Sequence, residues 1–207
     1  MNVRERVENF WYYYKWYVIF GVLAIFMVIT TIQQVRSRID YDTTVVFLGS
    51  FGQTEDAMRA FQTEQEKQMA DANGDGAVHV LPYFLNITGS ALQAEQDSAA
   101  VVRLQGMIMT REVSALVVDQ SALQALANGG ALENLQAYQQ AYDLTEESPY
   151  GIAIAADNPV FSMFTMSGKQ YYFAVIAKKA DMNEREQLHF QNAEQLLIHV
   201  IEGNQKK

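Results

Sequence analysis

Apolar positions along this chain fall into two regimes. From Phe10 to Ile32 they form one nearly unbroken run, FWYYYKWYVIFGVLAIFMVITTI, whose only charge is Lys15. Beyond Ile39 they come in short blocks separated by polar stretches. A helix rises about 1.5 Å per residue, so Trp16 to Ile32 covers roughly 25 Å and Phe10 to Ile32 roughly 34 Å, bracketing the roughly 30 Å of bilayer hydrocarbon. The pattern predicts one transmembrane helix over residues 10–34. Trp11, Tyr12, Tyr13, Tyr14, Trp16 and Tyr17 sit at almost consecutive positions and must face every side of that helix, which suits a headgroup belt better than a one-sided seam. Lys15 can snorkel to the same interface.

The second regime predicts alternating strands and helices. Val45-Val46-Phe47-Leu48 reads as a fully buried strand bounded by Thr43-Thr44 and Gly49-Ser50. A helix follows, capped by Thr54 ahead of Glu55 and Asp56, with Ala57, Phe61 and Met69 inward. Asp71 to Gly76 breaks it, and Val78 to Leu81 begins a second strand. A helix over 94–109 offers Val101, Val102, Leu104, Ile108 and Met109 as its inner face. Strand Ala115 to Val118 ends at Asp119, Ser121 caps a short helix with Leu123, Leu126 and Ala127 inward, and Gly129-Gly130 stops it. Ile152 to Ile154 and Tyr171 to Ile176 are two further strands. The last helix begins at Asn183 with Glu186 in capping-box spacing, and Ala193, Leu196, Leu197, Val200 and Ile201 form its buried stripe. The rhythm predicts an α/β fold: one three-layer lobe over 42–202 with a mostly parallel sheet, following the single transmembrane helix.

Around this lobe the expected map is a short head (1–9), the span (10–34), a polar connector (35–41) and a polar tail (203–207). Arg4, Arg6 and Lys15 precede most of the apolar run and Arg36 and Arg38 follow it, a bias toward a cytoplasmic amino terminus and an extracytoplasmic body. A cleaved signal peptide is the competing reading. No A-x-A triplet follows the run, and the nearest substitute, Val35-Arg36-Ser37, puts a bulky cation in its middle, so an uncleaved anchor is expected.

Charge sharpens the division. Residues 1–38 carry five Lys/Arg and two Asp/Glu, a net +3, so the chain's −9 leaves −12 for residues 39–207. An acidic body argues against nucleic acid as a partner and against lying flat on anionic lipid. Cysteine is absent, which removes disulfides, thiolate nucleophiles, Cys-type zinc sites and a lipid-modified cysteine. A cysteine-free extracytoplasmic domain fits a bacterial cell membrane.

Ser114 to Leu135, SALVVDQSALQALANGGALENL, resembles the lobe-1 signature of type 2 periplasmic solute-binding proteins, with a strand ending in a polar residue, Leu-x-x-Leu-Ala and a glycine turn before Leu-x-x-Leu. The helix running into Thr110-Arg111-Glu112-Val113 is similar to the one that family places before this strand. Tyr171 to Glu202 resembles its return to the first lobe. The WYYYKW start at Trp11 to Trp16 also resembles a set of short, membrane-anchored, uncharacterised bacterial proteins with such a body. The family inserts a second lobe after the fourth strand, whereas only Ala155 to Lys169 stands here. The resemblance therefore implies half of a two-lobed clamp. Sheet geometry places any ligand or partner beyond the strands' carboxyl ends, on a shelf of Gly49, Ser50 and Phe51, of Asp119, Gln120 and Ser121, and of Asp157 and Asn158.

The sharpest local motif is Asp71-Ala72-Asn73-Gly74-Asp75-Gly76, with oxygens at positions 1, 3 and 5 of an EF-hand-type loop and the carbonyl of Ala77 at position 7. Position 12 is Pro82 where a bidentate Glu normally stands, and a strand follows. The alternatives are an Asx-rich turn joining helix to strand and a weak calcium site at Asp71, Asn73, Asp75 and Ala77; no other cofactor is expected. His79, His189 and His199 lack ligand spacing, Ser167-Gly168-Lys169 lacks the upstream glycine of a P-loop, and no nucleophile motif occurs. The expected function is a non-catalytic, membrane-anchored binding or accessory module that recognises a protein, polymer or transporter partner. A metal-dependent envelope hydrolase using the Asp71 to Gly76 loop and a homodimeric surface protein are the alternatives.

Overall fold

The computed structural model describes residues 3–36, 40–87, 93–166 and 168–205, in two compact units that divide after Ile39. Connector residues 37–39 and Ser167 lie outside the described residues.

The first unit is helix α1, Val3–Arg36. It contains a 24-residue apolar stretch, Phe10–Gln33, with mean hydropathy 2.0, long and apolar enough to cross a membrane. Residues 3–9 of the expected head are helical as well. Trp11 to Tyr14, Trp16 and Tyr17 are exposed, and Phe10 stacks on Tyr14 at 5.0 Å in the i,i+4 relation of neighbours on a helix surface.

The second unit is a mixed α/β body. In chain order it runs β1 (Thr43–Leu48), β2 (Phe51–Gly52), α2 (Glu55–Glu66), β3 (Val80–Leu85), α3 (Ala94–Met109), β4 (Ala115–Asp119), α4 (Gln120–Asn128), α5 (Gln136–Ala141), β5 (Ile152–Ala153), β6 (Thr165–Met166), β7 (Tyr171–Val175) and α6 (Glu184–Gln205). The main sheet has the order β3-β1-β4-β7-β5, and β2 pairs with β6 apart from it. β1 runs parallel to β3 and β4, whereas β7 runs antiparallel to β4 and β5. The chain leaves β5 through residues 154–170, which contain β6, and returns beside it in the opposite direction.

Alternation along the strands divides the core. Phe47 packs at 5.8 Å from Phe61 of α2, 4.6 Å from Phe84 and 5.9 Å from Phe161. Phe161 in turn meets Phe173 of β7 at 6.3 Å. This face is covered by α2, α6 and the connector after β5. The opposite face takes α3, whose Arg103 guanidinium lies 5.1 Å over the Tyr83 ring. It also takes α4, whose Leu123 crowds Gly151 beside Tyr172. Such a middle layer is buried on both faces, which is why β1 and β7 are apolar almost throughout.

Three local expectations change. On α3 only Leu104 and Met107 are buried, while Val101, Val102 and Met109 are exposed; at about 100° per residue, Val102 and Met109 point some 140–160° away from Leu104. The cap of α4 is Asp119, which accepts the Ala122 N–H at 3.0 Å, and Ser121 instead donates its hydroxyl to Asp119. Asp119 holds the extended backbone a cap requires, so strand passes into helix with no loop. Finally, α6 continues through the start of the expected tail, and Asn204 accepts the Ala155 N–H and donates to the Ala153 carbonyl. The Asn183–Glu186 capping box forms as spaced, with reciprocal bonds of 2.8 and 2.9 Å.

The edge strand β3 is finished by α2. Gln62 donates to the Val80 carbonyl and Glu66 accepts the Val80 N–H, while Pro82 removes a donor in mid-strand.

Asp42 stands where the chain enters the body and is fully buried. Its Oδ1 accepts the N–H groups of Ala72 and Asn73, and its Oδ2 accepts that of His79. Replacing Asp42 by Ala orphans three donors at once, so a loss of roughly 2–4 kcal/mol is expected. Denaturant unfolding, with amide exchange of residues 70–79 as the local readout, checks it; wild-type stability would show that the loop closes without this carboxylate.

Candidate functional site

The carboxyl ends of β1 and β4 and the start of β7 come together because Asp119 pairs with Tyr171 in the β4–β7 register. Gly49, after β1, has φ +148, and a Cβ there would lie 3.1 Å from the Tyr171 ring, so only glycine lets the chain turn across the sheet end. Tyr171 donates its hydroxyl to the Ser50 carbonyl at 3.3 Å, and its ring lies 4.5 Å from Phe51.

The expected shelf residues take different roles in this arrangement. Ser50 is exposed at the end of the sheet. Phe51 is buried among the rings around Phe47 and offers no free surface. Gln120 donates to Glu147 at 2.9 Å. Asp119 and Ser121 form the α4 cap, with the Lys169 ammonium 3.6 Å from the second Asp119 oxygen. Asp157 is exposed. Asn158 is only 1 % exposed and is a structural clamp: it donates to the Val200 carbonyl and to Asn204, and accepts the Val160 N–H. A Cβ on Gly203 would come within 2.9 Å of that amide, so glycine lets α6 approach.

Lys169, Gln170 and Tyr171 join the shelf without having been singled out from the sequence. Their signal was topological, since the first residues of an antiparallel return strand lie at the carboxyl ends of its parallel neighbours. Beside them the connector encloses a cleft of about 410 Å³ whose walls include Ile154, Phe161, Phe164, Met166, Lys169 and Gln170. Gln170 is committed to the Ile154 and Tyr171 carbonyls, both at 2.9 Å. Lys169 is exposed and supplies the only charged side chain lining this cleft.

Electrostatics distinguish the two sides of the shelf. Burial alone would raise the Asp119 carboxyl, but the Ala122 N–H, the Ser121 hydroxyl and Lys169 outweigh it and hold the group below its ordinary value. Glu146 goes the other way: burial pushes it up, its bonds from the Ala153 N–H at 3.1 and 3.2 Å offset only part, and neighbouring Glu147 adds to the rise.

The Asp71 to Gly76 segment lies elsewhere, beside Asp42. Asp71 accepts the N–H groups of Gly74 and Gly76, Asn73 accepts that of Asp75, and Asp75 accepts that of Ala77. These are nested Asx turns, and Gly74 and Gly76 take the positive φ they need. The bond from Gly76 does most to hold the Asp71 carboxyl below its ordinary value. No group of three or more His, Asp or Glu side chains gathers as a metal site among the described residues. Comparison with family models, with curated proteins and with solved structures matched this chain to none of them.

The raised Glu146 makes a signed prediction. A carboxyl whose folded value lies above the ordinary 4.5 contributes stability below that value and loses it as pH rises through the folded one. Glu146→Gln keeps an acceptor for the Ala153 N–H and removes the charge, so its melting temperature should exceed wild type at pH 7 and match it at pH 4. Thermal melts at both pH values check this, and a lower value at pH 7 would mean that the charged hydrogen bond outweighs burial.

Proposed function

We propose that this protein is a membrane-anchored, extracytoplasmic binding or accessory module, non-catalytic, which presents one α/β lobe resembling lobe 1 of solute-binding proteins to a membrane-protein or transporter partner. The observation that carries the reading is the shelf itself. The carboxyl ends of the strands stay open on one side, and a fifteen-residue connector stands where the resemblance would place a second lobe. A clamp that closes over a small solute needs two lobes; a single open shelf with a partly apolar cleft suits a surface partner. The amino-terminal apolar helix supports anchoring in a bacterial cell membrane, with the amino terminus cytoplasmic on the charge bias. The shelf chemistry supports binding over hydrolysis, because the Ser121 hydroxyl donates to a carboxylate already occupied by the Ala122 N–H and Lys169.

The absence of cysteine permits a direct test. Single cysteines at Ser50, Ser121 and Lys169, carrying a photocrosslinker in native membranes, should capture one common protein partner, and a control at exposed Gln105 should not. Replacing Asp71 and Asp75 together by Ala should leave that capture intact. Capture of only neighbouring lipid, or of a second copy of the chain, would sink the transporter-accessory reading; a hydrolytic activity abolished by the Asp71/Asp75 replacement would establish the enzyme instead. Orientation is checked separately: protease added outside intact cells should degrade the body, and protection of the body would reverse the topology.

A further inference from the structure

The groove between α2 and α6 encloses about 290 Å³, and two buried polar atoms of its lining side chains bond to nothing among the described residues. Gln65 of α2 is only 2 % exposed, and its amide oxygen accepts no hydrogen bond. The Nδ1 of His199 on α6 is buried and equally without a partner. Other buried amides are satisfied: Gln139 donates to the Ser148 and Gly151 carbonyls, and Asn158 and Asn192 each bond through both amide atoms. A buried polar group left unpaired is costly, so two of them in one groove mark a place where another molecule completes the bonding.

The rest of the lining narrows what that molecule is. It contains no Lys or Arg, and its charged side chains are Glu64 and Glu202. Glu64 is shared with Lys67 at 3.0 Å, with both side chains largely exposed. Glu202 is exposed and makes no salt bridge among the described residues. The third side is apolar, built from Pro159, Val160 and Met163 of the connector. Buried acceptors, outer carboxylates and an apolar wall complement a head that only donates and a chain that only packs. A primary ammonium carries three donors and no acceptor, and its methylene chain can lie along apolar surface. Nδ1 of His199 accepts in the tautomer that carries its proton on Nε2, and the soft last torsion of Gln65 lets its amide turn to an entering donor.

We infer that this groove binds a primary ammonium on a short apolar chain, supplied as a free alkylamine or as a lysine side chain of a partner protein. Gln65 and His199 orient the head, Glu202 supplies the charge, and the connector packs the chain. The net −12 of residues 39–207 raises the local concentration of either cation. Every residue of the site belongs to the body, so the inference stands apart from the anchor reading.

The full chain in detergent micelles at pH 7 tests this, with butylamine as the probe and butanoate and 1-butanol as controls, read by saturation-transfer NMR. Butylamine should bind, and both controls should bind about tenfold more weakly or not at all. Gln65→Leu should weaken butylamine about tenfold or more while the melting temperature stays level or rises, because an apolar side chain of similar shape replaces an unpaired amide. Two exposed changes keep the test independent of folding. Glu202→Gln should weaken binding about threefold or more, and Lys67→Ala, which releases Glu64, should tighten it. Absence of butylamine binding, or equal binding of either control, overturns the site. Unchanged affinity in Gln65→Leu overturns it as well, since water alone would then complete the amide. Nα-acetyl-lysine amide names the source: binding at least as tight as that of butylamine assigns a partner's lysine, and weaker binding assigns a free alkylamine.

Discussion

One buried carboxylate organises the end of the body at which the chain arrives. Asp42 makes no salt bridge among the described residues, although Arg185 lies within reach of its charge; it is held by the backbone N–H groups of Ala72, Asn73 and His79. Burying an ion is tolerable when hydrogen bonds replace its water, and here they draw the loop after α2 onto the start of β1. The Asp42 N–H also donates to the His79 carbonyl, which aligns the chain just before β3 with β1. Asn192 of α6 closes the same corner, accepting the Ala70 N–H and donating to the Ala70 carbonyl. Helix, sheet and loop thus meet at one polar node, and the Asx turns of residues 71–77 grow from it.

A second polar node stands at the far side of the body and does similar work for the connector. Asn158, clamped to Val200 and Asn204, holds residues 155–164 against α6, which lets Phe161 and Phe164 complete the ring cluster around Phe47. The connector therefore plugs the core as well as joining β5 to β7. A segment that fills the aromatic face is not free to act as a hinge, because moving it would expose several rings to water. The end of the sheet beside the connector is consequently a fixed surface.

Much of this was legible in the residues, and the losses have physical causes. Element types and most boundaries followed from apolar runs and caps: Thr54, Asn183 with Glu186, and the stripe from Ala193 to Ile201 all stand as read. Strand direction did not, because a run such as YYFAVI is equally apolar in a parallel or antiparallel neighbour. The α3 face was misjudged because apolar side chains were counted without their phase, and Val102 and Met109 point to solvent. At the shelf, Asp119, Gln120 and Ser121 lie at the carboxyl end of β4, since that follows from topology alone. Phe51 and Asn158 did not remain available, because whether an aromatic or an amide faces solvent depends on partners distant in sequence, such as Phe84 and Tyr171 for Phe51 and Asn204 for Asn158. Lys169 entered the shelf through the register of β7 and through no local motif.

The distribution of charge relates the two ends of the sheet. At the shelf the Lys169 cation meets the capping carboxylate of Asp119, while Asp157 is exposed and Glu147 accepts from Gln120, so this end stays acidic. At the opposite end Arg111 is held by Asp181 and Glu186 and Lys178 by Glu194, so the cations there are matched by carboxylates. Each end is set by its local partners, because Coulomb interactions in salt act over about 8–10 Å and not over a whole domain. A six-residue strand separates the ends by roughly 20 Å, beyond that range. The two ends of the sheet are accordingly electrostatically independent.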